Sequence, residues 1–315
     1  MLKQAIELIN KYQSILILPH ISQDGDTLGS CFALRLLLEG MGKKAFVMLD
    51  EPHRFCKTLY GVADNVPLNQ YGLAIAVDCG DEGRLGSRLE AFRMAEKTIV
   101  IDHHGTNVGF GDVNIIDPSA AATAELIFQL AEAMGLEITS EVATNLHLAI
   151  AADTGGFMFA NATPKTMRIG ATLLEKGAEN MKINTLLFST NSFAKLMLMK
   201  MALNSLEVYA EGKIACISLT CAQIEECGAS FEECEGLISL PRSLEGVCVA
   251  FFVRERETGG VKVSMRSDGS IDVSQLCARN NGGGHKMAAG CAFDASIDEA
   301  KVRIIEQIES SFYKG

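Results

Sequence analysis

Three short, unbroken apolar runs constrain the fold of this chain more than any other feature of its sequence. They are Ile15–Leu18, Leu73–Val77 and Thr98–Ile101. A strand with one face in solvent alternates polar and apolar residues, whereas a strand covered on both faces is apolar throughout. Stretches of helical character separate the runs, and alternating strands and helices are typical of a mostly parallel sheet flanked by helices. We therefore predict an α/β fold for the first part of the chain.

The predicted helices of this first part have recognisable ends. Gly40 and Gly42 follow one helical stretch, and glycine commonly terminates helices. Thr163-Pro164 predicts the start of another helix, because threonine caps a helix and proline is tolerated in its first turn. The helical stretches are Leu28–Leu38, Ala120–Ala133, Glu141–Ala152 and Lys165–Glu175.

The pattern changes after residue 190. A stretch rich in Leu, Met and Lys predicts one long helix, Ser192–Tyr209, which we interpret as a connector. Strands follow, the last two joined through a turn at Glu257–Gly260, and a closing helix is predicted at Asp298–Phe312. The predicted strands are Lys213–Leu219, Val247–Val253 and Val261–Met265. We predict a first domain over residues 1–190, a helical connector over 191–210 and a smaller α+β domain over 211–315.

Composition limits where the protein acts and what it binds. The chain has 315 residues, a formal net charge of −11 and ten cysteines. No apolar run approaches the ~18 residues that span a bilayer, and the cysteines lie in or beside apolar runs without Cys-x-x-Cys pairs. We therefore expect a cytoplasmic protein with reduced thiols and no membrane association. The negative charge argues against binding long duplex nucleic acid, which favours a basic surface. A homodimer is compatible with the sequence.

Acidic residues and histidines stand where each buried strand ends. The first run leads into His20, Asp24 and Asp26, the second into Asp78, and the third into Asp102, His103 and His104. In an open parallel sheet, ligands gather at the carboxyl ends of the strands, near the switch in strand order. One further acid, Asp153, follows a helical stretch and precedes two glycines. We expect these side chains to meet in one crevice.

Their chemistry favours divalent cations. Carboxylate oxygens with some imidazole nitrogens suit Mn²⁺, Mg²⁺ or similar ions, and the lack of thiolates argues against structural zinc. Without cations, so many carboxylates would repel one another and take up protons. Two ions ~3.5–4 Å apart can stabilise both the attacking and the leaving oxygen in phosphoryl transfer.

Each of these pieces has an ordinary structural explanation when taken alone. Asp24-Gly-Asp26 could be a turn, Asp78 a helix cap, and the two adjacent histidines a surface pair. The functional interpretation rests on three strand ends that supply the same chemistry independently. His147 has no such neighbours in sequence, and we expect it to be a packing histidine.

These residues resemble the four motifs of the DHH phosphoesterases, in the same order. The motifs are His20-Ile-Ser-Gln-Asp-Gly-Asp26-Thr-Leu-Gly-Ser30, Val77-Asp78, Asp102-His-His-Gly105 and Ala152-Asp-Thr-Gly-Gly-Phe157. Arg266-Ser267 and Asn281-Gly282-Gly283-Gly284-His285 are similar to the glycine-rich motif of the associated DHHA1 domain. Within that family the chain looks most like the oligoribonucleases that also dephosphorylate 3′-phosphoadenosine 5′-phosphate (pAp).

The resemblance implies a role for each matching residue. His20, Asp24 and Asp78 would hold one metal ion, and Asp26, Asp78, His103 and Asp153 the other. Asp78 and His104 would be the catalytic pair, with His104 facing the scissile phosphate and Asp102 supporting the histidines from behind. The substrate would be bound by Arg266, Ser267, Asn281, Gly282, Gly283, Gly284 and His285. The expected cofactor is a pair of Mn²⁺ ions, with Mg²⁺ or Co²⁺ as alternatives.

The resemblance also implies substrates, namely short single-stranded RNA, cut to nucleoside 5′-monophosphates, and pAp, cut to AMP and phosphate. The first alternative is a phosphodiesterase for cyclic or linear dinucleotides that uses the same centre. An inorganic pyrophosphatase or exopolyphosphatase is a weaker alternative, because the glycine-rich motif and Arg266 suit nucleotide ends. From another class, a non-catalytic nucleotide-binding module is disfavoured, since every candidate ligand is present.

Overall fold

The computed structural model describes residues 1–49, 59–60 and 71–312, and these divide into two compact units. The first unit is Met1–Thr190 and the second is Asn191–Gly315. The first contains the predicted parallel sheet flanked by helices, and the second contains a mixed sheet, so the predicted fold class is confirmed.

The described strands of the first unit form a parallel sheet in the order β2-β1-β3-β4-β5. The strands are β1 Ser14–Pro19, β2 Lys44–Val47, β3 Leu73–Val77, β4 Lys97–Asp102 and β5 Val113–Ile116. The three predicted strands are β1, β3 and β4, and they lie side by side at its centre. The chain leaves β1 toward one edge and returns to its other side as β3. This reversal creates a crevice at the carboxyl ends of the strands, where ligands bind in such sheets.

Three of the four predicted helices are longer in the structure, and the predicted helix Ala120–Ala133 instead begins at Thr123 and ends at Met134. The bounds of the flanking helices are α1 Leu2–Lys11, α2 Gly25–Gly40, α3 Leu89–Met94, α4 Thr123–Met134, α5 Ser140–Asp153, α6 Pro164–Glu175 and α7 Asn180–Asn184. Helix α2 begins at Gly25 rather than Leu28, because the side chain of Asp24 accepts a hydrogen bond from the Thr27 amide and caps it. Helix α5 reaches Asp153, so this candidate ligand is the last residue of a helix.

Helices α2 and α5 pack closely at Gly29. A Cβ atom at Gly29 would lie 2.5 Å from the Asn145 carbonyl oxygen and 2.8 Å from the Ala149 Cβ. Every residue of α2 from Gly25 to Leu34 is buried, which explains why its sequence shows no clear polar face. The contact brings the start of α2 and the end of α5 to the same end of the sheet. Both helix ends carry candidate ligands.

The described strands of the second unit form a mixed sheet in the order β10-β11-β9-β8-β7-β6. The strands are β6 Glu207–Tyr209, β7 Ile214–Leu219, β8 Val249–Glu255, β9 Val261–Ser267, β10 Gly283–His285 and β11 Ala288–Phe293. The helices are α8 Phe193–Asn204, α9 Cys221–Glu226, α10 Ser239–Arg242, α11 Val273–Ala278 and α12 Ile297–Phe312. The predicted hairpin of β8 and β9 is confirmed, and the two strands pair antiparallel.

The long helix predicted over Ser192–Tyr209 is wrong in its last five residues. Helix α8 ends at Asn204, and Glu207–Tyr209 instead forms β6, which pairs with β7. Strand pairing at the edge of the sheet overrides the local helical composition, which is a weak determinant by itself. The segment 191–210 thus contains one helix and the first strand of the second unit.

Two findings bear on the expected setting of the protein. Among the described residues, no helix combines the length and the apolar character that crossing a bilayer requires. The nine cysteines that the structure describes are all free thiols, as predicted.

We expect Gly29→Ala to lower the free energy of unfolding by about 1–3 kcal/mol, the usual range for overpacking a core. Gly40→Ala, near the end of the same helix, is the control, because a Cβ there meets no atom within 4 Å. Chemical denaturation of both variants measures the difference. Equal stability of the two would show that the α2–α5 contact tolerates a larger spacing.

Candidate metal centre

The candidate ligands of the sheet come from neighbouring strands. His20 follows β1, Asp78 follows β3, and His103 follows the last residue of β4. These strands are parallel neighbours in the order β1-β3-β4. The carboxyl ends of each neighbouring pair therefore lie about 5 Å apart. Asp78 takes a left-handed conformation, with φ 60°, while its amide donates to the Ile101 carbonyl at 2.9 Å. This kink turns the side chain at the strand end while the backbone stays tied to β4.

Two further acids come from the first turn of α2. Asp26 is completely buried, and its carboxylate accepts hydrogen bonds from the amides of Thr123 at 2.6 Å and Ala124 at 3.1 Å. These amides start α4, so the free N–H groups of one helix hold a carboxylate at the start of another. Asp24 is more open, with 43% of its side chain exposed.

The donor atoms form two sets that share Asp78. In the first set, His20 Nε2 lies 3.5 Å from Asp78 Oδ2 and 3.9 Å from Asp24 Oδ2. In the second, His103 Nε2 lies 3.3 Å from Asp153 Oδ2, 3.8 Å from Asp26 Oδ2 and 3.7 Å from Asp78 Oδ1. One oxygen of Asp78, Oδ2, therefore faces the first set, and the other, Oδ1, faces the second.

This arrangement fits divalent cations. Bonds of about 2.0–2.2 Å to one ion leave neighbouring donor atoms about 3.0–3.5 Å apart, and the observed distances are close to that. Histidines that bind metals usually donate their second ring N–H to a carbonyl or carboxylate. His20 Nδ1 lies 2.5 Å from the Ile21 carbonyl oxygen and His103 Nδ1 lies 3.2 Å from that of Ala120. In both rings Nε2 is thereby directed at the carboxylates.

His104 is held differently. Its Nδ1 lies 2.7 Å from Asp102 Oδ1, and Asp102 is completely buried. The other oxygen of Asp102 accepts a hydrogen bond from Asn107 Nδ2 at 2.7 Å. His104 Nδ1 is also 3.8 Å from Asp78, so Asp78, His103 and His104 are close enough to form a third group. His20 and His103 face Asp78 with Nε2, whereas the nitrogen of His104 that lies near Asp78 is Nδ1, which Asp102 already holds. This difference favours His104 as an oriented ring beside the centre over His104 as a ligand.

Three groups of the cluster hold protons more tightly than usual. Burial lowers the pKa of His103, but the hydrogen bond to Asp153 and the charges of Asp26 and Asp78 outweigh it and raise the pKa to about 11. Burial also raises the pKa of Asp153 to about 6, although its hydrogen bond with His103 opposes the rise. Burial and the nearby charges of Asp78 and Asp153 raise the pKa of Asp26. A bound cation would replace the protons that these groups hold.

Two threonines that the sequence analysis missed orient Asp78. The Thr27 hydroxyl donates to Asp78 Oδ2 at 2.6 Å and lies 2.6 Å from His20 Nε2. The Thr123 hydroxyl donates to Asp78 Oδ1 at 2.9 Å. Thr27 directly follows Asp26, so its position in the first motif was a usable signal. Thr123 follows three alanines and carried no signal in the sequence.

Arg84 was also missed. It lies in a 3₁₀ turn, Glu82–Arg88, after β3, and its Nη2 is 3.0 Å from His20 Nδ1. An arginine in a loop is common in any sequence, so only the tertiary contact identifies it. His147, by contrast, is confirmed as a packing histidine, since it is buried and its Nε2 lies 2.9 Å from Asn180 Oδ1.

Two candidate substrate residues of the second unit, Arg266 and His285, lie in one row across its sheet. His285 on β10 pairs with Ala288 on β11, which pairs with Arg266 on β9. Paired residues of neighbouring antiparallel strands point to the same face, so Arg266 and His285 lie on either side of the small Ala288 side chain. Two strand spacings put the backbone positions of Arg266 and His285 about 10 Å apart. Arg266 is partly buried, which lowers its pKa, and its Nη1 donates to the Met265 carbonyl at 3.0 Å.

The glycine-rich motif differs from the expected loop. Gly283–His285 forms edge strand β10, and a Cβ at Gly284 would lie 2.5 Å from the Ala288 carbonyl oxygen. Glycine is therefore required by the close approach of β10 to β11 at this position. Asn281, with φ 55°, makes the turn into the strand, and Ser267 is buried and accepts a hydrogen bond from the Gly269 amide at 2.9 Å. These two residues have local structural roles.

Comparison with known protein families agrees with the motifs. Residues 14–150 match the model of the DHH family, N-terminal domain, and residues 217–313 match the DHHA1 domain. The first match contains β1 to β5 and most of the candidate ligands, and the second contains Arg266 and the glycine-rich motif.

Individual relatives extend the similarity to nearly the whole chain. The bifunctional oligoribonuclease and PAP phosphatase NrnA of Thermus thermophilus is 35% identical over 93% of this chain and 89% of its own length. The protein of the same name from Bacillus subtilis is 26% identical over 98% and 97%. Among solved structures, an exopolyphosphatase-related protein from Bacteroides fragilis is 28% identical and covers 97% of this chain and 94% of its own, with a TM-score of 0.89.

We expect the binding of the Mn²⁺ pair to release at least one proton at pH 8, from His103, and to weaken as the pH falls toward 6, where Asp153 also takes up a proton. The reason is that His103, with a pKa raised to about 11, and Asp153, with a pKa raised to about 6, must lose protons before they bind a cation. Calorimetry in buffers of different ionisation enthalpy counts the released protons. Binding without proton release would contradict the assignment of His103 as a ligand.

Proposed function

This chain belongs to the DHH family of phosphoesterases, in the group whose members carry a DHHA1 domain, and from that premise we propose that it hydrolyses short oligoribonucleotides to nucleoside 5′-monophosphates and pAp to AMP and phosphate. One observation carries the proposal. Asp78 Oδ2 lies 3.5 Å from His20 Nε2 and Asp78 Oδ1 lies 3.7 Å from His103 Nε2, so one carboxylate joins two separate donor sets. A bridged pair of sites is the arrangement that di-metal phosphoesterases need.

We propose two ligand sets, and these distances support them. His20, Asp24 and Asp78 would hold one ion, and Asp26, Asp78, His103 and Asp153 the other. Mn²⁺ is the proposed metal, with Mg²⁺ or Co²⁺ as alternatives, since the donors are carboxylate oxygens with two imidazoles. When bound, the ions would neutralise charge on the phosphoryl oxygens and lower the pKa of the attacking water.

His104 is proposed to donate a proton to the leaving oxygen. Its hydrogen bond to Asp102 raises the pKa of the imidazole, which keeps the ring protonated closer to neutral pH. Asp102 fixes the ring by holding Nδ1, and Asn107 in turn fixes Asp102. The ring is 29% exposed, so a substrate can approach it from solvent.

The proposed substrates are small anions. A net charge of −11 disfavours a long phosphate backbone, whereas one or two phosphates need only local cations. Arg266 and His285 flank Ala288 in the second unit and could hold a further phosphate of a nucleotide. We propose that the enzyme acts in the cytoplasm on single-stranded fragments and not on duplexes. Gel filtration of the purified protein tests the predicted homodimer.

The substrate assignment is tested with the Mn²⁺-loaded enzyme on a panel of phosphate compounds. We expect turnover of pAp and of RNA two to five nucleotides long, with nucleoside 5′-monophosphates as the RNA products. The control arms are a long RNA duplex, a cyclic dinucleotide, pyrophosphate and polyphosphate. Faster hydrolysis of the cyclic dinucleotide would favour the dinucleotide phosphodiesterase, and faster hydrolysis of polyphosphate would assign the chain to the chemistry named in its Bacteroides relative.

We expect His104→Asn to lower kcat by about 10²- to 10⁴-fold, the usual contribution of a positioned acid or base, with Mn²⁺ affinity retained. Asp102→Asn should also lower kcat. The double variant should be no slower than His104→Asn alone, because Asp102 acts through His104.

Asp78→Asn is the matched comparison, since it should lose Mn²⁺ affinity together with turnover. Steady-state kinetics and calorimetry on the four variants separate the roles. Losses that multiply in the double variant would show that Asp102 contributes independently of His104.

A further inference from the structure

The turn that carries Arg84 is fixed against the end of β1. The Arg84 amide donates to Asp81 Oδ1 at 3.2 Å, and its carbonyl accepts from the Ile21 amide at 2.8 Å. Gly86 has a φ of 56°, and a Cβ there would lie 2.5 Å from Ile21 Cγ2. The backbone of Arg84 is therefore held beside His20, the residue before Ile21.

The side chain of Arg84 is not used for an ordinary surface ion pair. Within the described parts of the chain, no carboxylate lies within 4 Å of its guanidinium, although the residue is exposed. Its neighbour Arg93 pairs with Glu82 at 2.8 Å, and Arg88 is buried. Arg84 instead places Nη2 3.0 Å from His20 Nδ1. Thus an exposed guanidinium lies at the edge of a cluster of carboxylates and touches one of its histidines.

This position is electrostatically costly for metal binding. A guanidinium is always charged, and a like charge beside a ligand opposes the binding of a divalent cation. An anion that binds near both positive charges would offset this cost. The His20 ring does not depend on Arg84 for its orientation, because a protonated Nδ1 donates to the Ile21 carbonyl and then has no lone pair to accept a hydrogen bond from the guanidinium.

We propose that the guanidinium of Arg84 binds a non-bridging phosphoryl oxygen of the substrate on the His20 side of the centre. This inference rests on the proposed phosphoesterase function, and it assigns the phosphate a protein ligand in the first unit. The planar fork of arginine suits the bidentate recognition of phosphate. In the bound state the guanidinium donates to the phosphoryl oxygen, and His20 keeps the Ile21 carbonyl as its partner.

The test compares Arg84→Gln and Arg84→Lys with Arg93→Gln, an exposed arginine of the neighbouring helix α3. Three quantities are measured by calorimetry and kinetics: Mn²⁺ affinity of the metal-free protein, inorganic phosphate affinity of the Mn²⁺-loaded protein, and kcat and KM for pAp. For Arg84→Gln we expect phosphate affinity to fall by about 10- to 100-fold, as for a lost hydrogen bond to a charged group, and KM for pAp to rise. Mn²⁺ affinity should stay the same or increase.

A phosphate-binding Arg84 predicts a loss of phosphate affinity without a loss of Mn²⁺ affinity. A purely structural role would lower both affinities. Arg84→Lys keeps the charge but not the fork, so its phosphate affinity should be intermediate and its Mn²⁺ affinity that of the unsubstituted protein. Weaker Mn²⁺ binding in Arg84→Gln would overturn the proposal and make Arg84 a positioning residue for His20. Unchanged phosphate affinity would also overturn it. If the unsubstituted protein binds Mn²⁺ and phosphate but hydrolyses no phosphoester, the proposed function fails while the Arg84 result is still decided.

Discussion

The hydrogen-bonded carboxylate of Asp78 is the constraint on which the rest of the centre depends. Asp78 is buried and faces His20 with one oxygen and His103 with the other. Burial raises its pKa, but the hydrogen bond and charge of His20 and the charge of His103 outweigh burial, and the pKa falls well below its usual range. A buried carboxylate that stays ionised needs positive partners on both sides. Its neighbours are the groups that would hold cations in the working enzyme.

A network of helix starts and hydroxyls supports this carboxylate. Thr27 on α2 and Thr123 on α4 each donate to one oxygen of Asp78. The amides at the start of α4 hold Asp26, so the same helix start orients two acids. Because Asp78 and these partners come from three separate parts of the chain, the centre forms only when the helices have packed on the sheet. The close contact of α2 and α5 at Gly29 belongs to the same requirement.

The candidate substrate residues of the second unit include an arginine and several glycines, whereas the candidate metal ligands of the first unit are aspartates and histidines. Two of these residues, Arg266 and His285, lie on one face of its sheet, at paired positions on either side of Ala288. Gly284 allows the edge strand β10 to approach β11 closely, and phosphate binding by the glycine-rich motif stays a prediction.

The sequence by itself determined the fold class and the chemistry of the ligands. Strands buried on both faces are apolar throughout, and Asp or His directly after them marks the functional edge of the sheet, so these signals are local and readable. Tertiary structure alone decided which oxygen of Asp78 faces which histidine, that Thr123 and Arg84 belong to the centre, and that residues 207–209 form a strand. Those outcomes depend on contacts between segments distant in the chain, and local propensity is too weak an energy to determine them.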